Sequence, residues 1–295
     1  MAVRRFRLVA RPVRFYVAGK WCHGGERQWP GFREEATLFP SIFISHGSPM
    51  LGLTESPARD FLMALGEQLG RPRAILVASA HWETPTATLN AVAENKTIHD
   101  FHGFPPELYA MRYPAPGAPE LAEQASDLLC AAGLASRIDR ARGLDHGAWV
   151  PLRLMYPEAD IPVLQVSLQS RLGPAHHFQV GRALAPLREQ GVLVIGSGSF
   201  THDLSRIRRG SLDEPEPPDV AAFAGWFDAA IAEGRTCDLL TYRTHAPHAA
   251  LNHPTEEHLL PLHVAMGAAG PSARGERLHS SAMYSVLRMD AYAFH

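Results

Sequence analysis

Short, almost entirely apolar segments are the feature that most constrains the fold of this 295-residue chain. They are SIFIS (41–45), AILVASAHW (74–82), PVLQVSL (162–168) and GVLVIGSGS (191–199). Because these runs lack the polar alternation of a half-exposed strand, they predict strands buried on both faces. Helix-like segments lie between them, and this alternation predicts an α/β fold. We expect a layered sheet of mostly parallel or mixed strands, helices on both faces, and an active site at the carboxyl ends of the strands.

Other elements follow from helix periodicity and from proline and glycine at segment ends. Pro261 is expected to bend or restart the last helix, because proline cannot continue a helix without a break. The segments 87–93 and 283–294 predict further strands, the second of them one or two. The predicted helices cover 56–70, 119–133, roughly 175–190, 219–234 and 256–270.

Charge and cysteine content exclude several classes of partner. The chain has 28 basic and 30 acidic residues, a net charge of −2, which gives no electrostatic footprint for nucleic acid or an anionic membrane. No apolar run approaches the roughly 20 residues of a membrane span. Three widely spaced cysteines make no disulfide framework, so a reducing cytoplasm is expected. The sequence does not indicate the oligomeric state.

The first 38 residues differ from the rest of the chain. They open with the arginine-rich, acid-free stretch MAVRRFRLVARPVRFYVAGK and show little periodicity. An organelle transit peptide is an alternative, although such peptides are richer in serine. We expect an N-terminal extension without an assigned role at 1–38 and a catalytic domain at 39–295, interrupted by a charged, proline-rich loop at 208–219.

Histidines stand at the ends of three of the predicted strands. His46 follows SIFIS, His81 closes ILVASAH, and His202 follows VLVIGSGSFT. One such histidine is usually a core residue bonded to a carbonyl group. Three of them on neighbouring parallel strands would meet at the edge where α/β proteins bind ligands. His146, in GLDHGAWVPL, and His258, in NHPTEEHLLPL, stand in similar turn-rich contexts.

A histidine cluster without cysteine suits Fe(II), Zn(II), copper or nickel, and it argues against a closed structural zinc site. The HExxH metalloprotease motif is absent. GSGS (196–199) lacks the lysine and the spacing of a phosphate-binding P-loop. Ser48 and Ser199 lack the GxSxG elbow of serine hydrolases. The histidines therefore predict a metal centre.

Seven motifs occur in an order and at intervals that resemble one family. They are HGSPM (46–50), SAHW (79–82), TIHDFHGFP (97–105), YPAPG (113–117), LDHGAW (144–149), SGSFTHDL (197–204) and HPTEEHLLPLHVAMGAAG (253–270). From roughly Leu38 to its C-terminus, the chain resembles the class III extradiol ring-cleavage dioxygenases, in particular the DOPA 4,5-dioxygenase-like branch. The resemblance implies a non-haem Fe(II) centre that opens a catechol ring with O₂ to give a semialdehyde.

The resemblance also implies roles for individual residues. His46 and His81 match the two histidine ligands, and His258 matches a third where the related protocatechuate branch has glutamate. This departure from the two-histidine, one-carboxylate triad leaves open whether iron or zinc is bound in isolated protein. Glu257 is set aside because a helix would turn it about 100° from His258. His202 matches the active-site base and His146 a second acid or base.

Two histidines and one tryptophan each allow two interpretations. His99 and His102 are candidates to line the catechol pocket, although a loop stabilised by Asp100 and the two imidazoles is equally consistent with TIHDFHGFP. Trp82 is more consistent with core packing than with a substrate platform, because tryptophan is mostly buried.

Two other functions compete with ring cleavage. A zinc-dependent hydrolase also uses histidines at strand ends, and Asp145 and Asp203 adjoin two of the histidines here. A non-catalytic metal-binding protein is the third reading. It leaves two of the five histidines without a role.

Overall fold

The computed structural model describes residues 11–12, 37–207 and 215–295. Most of the extension at 1–38 and part of the loop at 208–219 therefore lie outside the described residues. The strands are β1 (Arg11–Pro12), β2 (Thr37–Leu38), β3 (Ser41–Ser45), β4 (Ala74–Glu83), β5 (Ala87–Asn90), β6 (Ser136–Asp139), β7 (Val163–Leu168), β8 (Val192–Gly198), β9 (Gly275–His279), β10 (Ala282–Met283), β11 (Leu287–Arg288) and β12 (Ala291–Phe294).

The α-helices of the described residues lie mainly between these strands. No helix in this part of the chain is long and apolar enough to cross a membrane. The helices are α1 (Pro57–Leu69), α2 (Pro106–Ala110), α3 (Pro119–Ala131), α4 (His146–Met155), α5 (Gly173–Leu184), α6 (Pro218–Glu233), α7 (Thr236–Leu240), α8 (Tyr242–His245), α9 (Ala249–Asn252) and α10 (Leu260–Ala269).

Eight strands form one mixed sheet in the order β6-β5-β7-β4-β8-β3-β12-β9. The four central strands β7, β4, β8 and β3 are mutually parallel. β5 runs antiparallel to β7 on one side, and β12 runs antiparallel to β3 on the other. The carboxyl ends of β3, β4 and β8 are therefore adjacent at one edge, as the sequence predicts.

Alternate residues of β4 face opposite layers of helices. Ile75 and Val77 belong to a buried cluster that includes residues of α1 and α4. Leu76 and Ala78 belong to a second cluster, with residues of α3, α5 and α10. Because both faces of the strand are covered, it needs no polar alternation. The predicted α/β sheet with helices on both faces is confirmed.

Two helices that carry or adjoin the predicted site histidines differ from the sequence-based expectation. The helix predicted from residue 256 begins only at Leu260, with Pro261 in its first turn, where a missing N–H costs no hydrogen bond. His258 therefore precedes the helix. Helix α4 was not predicted, since it is buried on every side except at Arg153 and so has no amphipathic pattern.

Candidate active site

His46 and His81 are placed by β3 and β4, two parallel strands on either side of β8. His46 directly follows β3, and its backbone N–H donates to the Gly198 carbonyl at 2.9 Å. The ladder between β4 and β8 ends at Ser79, and the pairing of β4 with β7 is irregular between Ala78 and Glu83. Because an irregular ladder re-aims side chains, His81 is free to turn toward His46 across the sheet edge. The Nε2 atoms of the two rings lie 2.9 Å apart.

His202 and His258 come from the segments around the end of β8. The backbone N–H of His202 donates to the Asn252 carbonyl at 2.8 Å, and the carbonyl of His258 accepts from Ser199 at 2.8 Å. A Cβ atom on Gly198 would lie 2.0 Å from that His258 carbonyl. The glycines of GSGS thus allow a close approach of the His258 backbone, which explains the motif without a phosphate.

His146 is the first residue of α4, and Asp145 caps that helix. The fully buried Asp145 carboxylate accepts from the Ala148 N–H at 3.2 Å, the Ser79 hydroxyl at 2.6 Å and the Gln165 amide at 2.9 Å. A buried charge with several donors is stabilised in place. Asp145 therefore serves to fix the start of α4, and with it the position of His146.

The structure brings the five predicted histidines His46, His81, His146, His202 and His258 together in one cluster. The ring centre of His46 lies 4.8 Å from that of His81, 5.5 Å from that of His146 and 5.6 Å from that of His258. The rings of His81 and His146 are 3.9 Å apart. His202 is stacked on His258 at 3.4 Å, with an interplanar angle of 11°.

His99 and His102 stand outside this cluster. Nε2 of His99 lies 3.1 Å from the Met111 carbonyl, and its ring contacts Phe101 at 5.6 Å. Phe101 in turn contacts the ring of His146 at 5.7 Å. His102 is exposed. Within the TIHDFHGFP segment, Phe101 and Asp100 are therefore the residues whose side chains lie nearest the five clustered histidines.

Trp82 is buried, and the Arg142 guanidinium lies 4.7 Å from its ring centre. The same guanidinium donates to the His81 carbonyl at 3.3 Å and to Asp145 at 3.2 Å. The core-packing reading of Trp82 is confirmed. Its ring packs against the guanidinium of Arg142, which in turn donates to the backbone carbonyl of His81.

Side-chain oxygen atoms lie beside Nδ1 on three of the imidazoles. Nδ1 of His46 lies 3.1 Å from the Ser197 hydroxyl, which itself donates to the Gly147 carbonyl at 2.5 Å and so accepts from the ring. Nδ1 of His146 lies 3.0 Å from Asp100. Nδ1 of His258 lies 3.0 Å from Glu257. With the proton on Nδ1, each ring keeps a lone pair on Nε2, the arrangement typical of metal-binding histidines.

Glu257 was set aside in the sequence analysis on a helical geometry that the chain does not have there. Because α10 begins at Leu260, residues 257 and 258 are not related by a helical turn. Oε1 of Glu257 also accepts from the Thr255 hydroxyl at 2.9 Å. His202, Glu257 and His258 each offer a donor atom within 4.8 Å of the others. The sequence alone does not predict this contact, because a glutamate that directly precedes a histidine seldom has its side chain beside that histidine's ring.

Burial favours the neutral form of four imidazoles of the cluster, those of His46, His81, His202 and His258. Burial, followed by the neighbouring imidazoles, lowers the pKa of His46 and of His258 well below the usual value. Burial and then His146 lower the pKa of His81 to about 4, and burial also lowers the pKa of His202. Burial alone would raise the pKa of Asp100, but the neighbouring His146 and His81 together outweigh it, and that pKa falls to about 2.

These donors fit a divalent transition metal. Metal–imidazole bonds are about 2.0–2.1 Å long, so two nitrogens on one ion lie about 3 Å apart. The Nε2 atoms of His46 and His81 meet this condition, and the nitrogens of His46, His81 and His146 all lie within 4.8 Å of one another. When the proton of each ring is on Nδ1, the Nε2 lone pairs of both rings are available to one cation. The cluster is a metal site.

Comparison with known proteins identifies the family. The family described as the catalytic LigB subunit of aromatic ring-opening dioxygenase matches residues 40–295. The chain belongs to this family. It is an extradiol aromatic ring-opening dioxygenase, in agreement with the resemblance of the seven motifs. The match begins two residues after the predicted extension.

Relatives and a solved structure agree with this assignment. The chain is 48% identical over 264 residues to a 4,5-DOPA dioxygenase extradiol of Beta vulgaris, covering 88% of this chain and 98% of the relative. A protein of the same name from Escherichia coli is 39% identical over 79% of this chain and 86% of its own. An uncharacterized E. coli K12 protein of known crystal structure superposes with a TM-score of 0.72 at 33% identity, over 86% and 99% of the two chains. These findings do not support the zinc-dependent hydrolase.

Proposed function

We propose that the chain is an Fe(II)-dependent dioxygenase that cleaves a small, DOPA-like catechol with O₂, with His46, His81 and His258 as metal ligands. The observation that carries the proposal is the 2.9 Å separation of two neutral imidazole nitrogens at the ends of the parallel strands on either side of β8. Several relatives are named 4,5-DOPA dioxygenase extradiol, and this is the reason for choosing that class of catechol.

The third ligand has two candidates. The ring of His258 lies at comparable distances from both other ligands, 5.0 Å from His81 and 5.6 Å from His46. Its backbone carbonyl is bonded to the end of β8, and Glu257 orients its ring. His146 shares a compact group of donor atoms with His46 and His81, which favours it as the alternative. We propose His258, because His146 would then remain free for proton transfer.

Iron is proposed in preference to zinc because ring opening with O₂ needs a redox-active metal, whereas zinc has no redox chemistry. Iron(II), when bound, would supply the site that holds the catechol oxygens and O₂ together. Three neutral imidazoles also accept Zn(II), so isolated protein is expected to take up zinc when iron is scarce.

His202 and His146 are proposed to move protons. Neutral His202 stacks on His258 and is suited to accept a proton from a catechol hydroxyl as the substrate binds. His146 lies against His81, with 3.9 Å between the ring centres, and is suited to return a proton as the ring opens. Imidazole does both near neutral pH, because its ordinary pKa is about 6.5.

The wall of the substrate pocket is proposed to come from the TIHDFHGFP segment. Phe101 lies against His146, with His99 beyond it, and the exposed His102 completes the segment. A flat aromatic wall beside the metal ligands would hold a catechol ring by its faces and edges. The cytoplasmic location, the small-molecule partners and the domain boundary at residue 39 stay predictions.

The ligand assignment is tested by metal content after anaerobic loading with Fe(II) and removal of unbound metal. His46→Ala, His81→Ala and His258→Ala should each lose most of the iron, and His146→Ala should retain it. His245→Ala, at an exposed histidine away from the cluster, is the matched control. Full occupancy in His258→Ala with loss in His146→Ala would reverse the two roles.

A further inference from the structure

Asp100 is held rigidly beside the start of α4. The preceding residues pair with the segment before His146: Ile98 donates to Leu144 at 2.8 Å, and Leu144 donates to Lys96 at 2.8 Å. The indole N–H of Trp149, one turn into α4, donates to the Ile98 carbonyl at 2.9 Å. The position of the Asp100 backbone is thereby fixed relative to the helix that carries His146.

The Asp100 carboxylate contacts two imidazoles of the cluster. Its Oδ1 accepts from the backbone N–H of His146 at 2.9 Å and lies 3.0 Å from Nδ1 of the same residue. Its Oδ2 lies 3.7 Å from Nδ1 of His81. Because the first N–H groups of a helix carry partial positive charge, the start of α4 also favours an anion here.

We propose that Asp100 is a positioning residue that keeps the proton of His146 on Nδ1, so that Nε2 presents its lone pair to the reacting groups. The carboxylate is an acceptor only, so the ring nitrogen facing it must be the donor. This inference rests on the proposed role of His146 in proton transfer. It adds that the active tautomer of His146 is set by a residue from a different loop.

Leucine in place of Asp100 tests this directly. It has nearly the same shape, but it offers no acceptor to His146, so nothing holds the proton on Nδ1. Asparagine is the matched variant, because one carboxylate oxygen, Oδ1, contacts both the backbone N–H and Nδ1 of His146. An amide oxygen in that position accepts from the backbone N–H and still faces Nδ1, which keeps its proton. We expect a loss of at least about 10²-fold in kcat for Asp100→Leu, in the range of proton-transfer groups.

The experiment combines ¹⁵N-histidine NMR of Zn(II)-loaded protein with kinetics of the Fe(II)-loaded enzyme on L-DOPA. The His146 resonances are assigned by their absence in His146→Gln. Wild type should show the proton on Nδ1 and Asp100→Leu the proton on Nε2, with kcat falling at least about 10²-fold while KM and iron content stay close to wild type. Asp100→Asn, which keeps the accepting oxygen, should keep the proton on Nδ1 and recover most of kcat. Asp160→Asn, at an exposed aspartate paired with Arg71, is the control.

An unchanged tautomer in Asp100→Leu, or an unchanged kcat, would overturn the proposal. Loss of iron or of native near-UV dichroism in that variant would also overturn it, since Asp100 would then support a ligand or the fold. The tautomer is measured without turnover. A wild-type enzyme that fails to oxidise L-DOPA would therefore contradict the proposed function while leaving the NMR test intact.

Discussion

At the residue scale, the buried histidines differ in which ring nitrogen lies against an oxygen atom of the protein. In the site, Nδ1 of His46, His146 and His258 faces a side-chain oxygen. In the core, Nε2 of His253 lies 3.0 Å from the Phe200 carbonyl and Nε2 of His263 lies 3.1 Å from the Leu239 carbonyl. A nitrogen bonded to a carbonyl group has no lone pair for a metal. The core histidines therefore carry their proton on Nε2, the nitrogen that the site histidines leave free for a metal.

His202→Ala separates proton transfer from metal binding. If His202 is an acid or base, the variant should keep its iron and lose about two to four orders of magnitude in turnover. Iron content and oxygen uptake, measured on the same preparation, check this. Loss of iron instead would make His202 a fourth ligand and leave His146 as the remaining base.

The buried His263 should make the stability of the fold sensitive to acid. Burial lowers its pKa to about 4 in the folded chain, against about 6.5 when unfolded. The unfolded chain thus binds more protons between these values, so stability is full above pH 6.5 and falls as the pH drops toward 4. The free energy of unfolding changes with pH by up to about 1.4 kcal/mol per pH unit from this one residue.

Denaturant unfolding measured from pH 7 to 4.5 should show a weaker dependence of the free energy of unfolding on pH, that is, a shallower slope, in His263→Phe. An unchanged slope would contradict the buried neutral state, and His245→Phe controls for composition.

At the element scale, the end of β8 is shaped by its contact with the turn before α10. A Cβ on Gly198 would meet the His258 carbonyl at 2.0 Å, a backbone atom that has no room to move aside. Gly198→Ala should therefore displace His258 and lower both thermal stability and iron content. Gly225→Ala, on an open face of α6 with no atom within 4 Å, is the matched control. It should stabilise by about 0.5–1 kcal/mol through the better helix propensity of alanine. Wild-type iron content in Gly198→Ala would contradict the assignment of His258.

The strands were predictable because burial on both faces leaves a direct mark on the sequence, and SIFIS coincides with β3. Their parallel order brought the strand-end histidines together as expected. Helix α4 and the turn at Glu257 were not predictable, because one has no polar face and the other depends on where α10 begins. Asp100 and His146 are 46 positions apart in the sequence. No local sequence pattern predicts a contact over that separation.

At the scale of the whole molecule, the family match starts at residue 40, and none of the five clustered histidines lies upstream of it. Phe39 is already part of the fold, because its carbonyl accepts from the buried Arg188 at 3.0 and 2.7 Å. A chain that starts at Ala36 keeps this contact. It should fold, bind metal and cleave catechol at close to the full-length rate. Aggregation, or a Tm lower by more than about 5 °C, would show that the extension stabilises the domain by one to two kcal/mol.

The central claim is that the histidine cluster opens a catechol ring with both atoms of O₂. The most direct measurement is oxygen uptake by Fe(II)-loaded protein with L-DOPA and a panel of simpler catechols, followed by mass spectrometry of the product formed under ¹⁸O₂. We predict one O₂ consumed per catechol, a yellow ring-opened semialdehyde carrying both ¹⁸O atoms, and neither signal in His46→Ala. Absence of oxygen uptake across the panel by wild-type protein with full iron occupancy, or a product without ¹⁸O, would contradict the account.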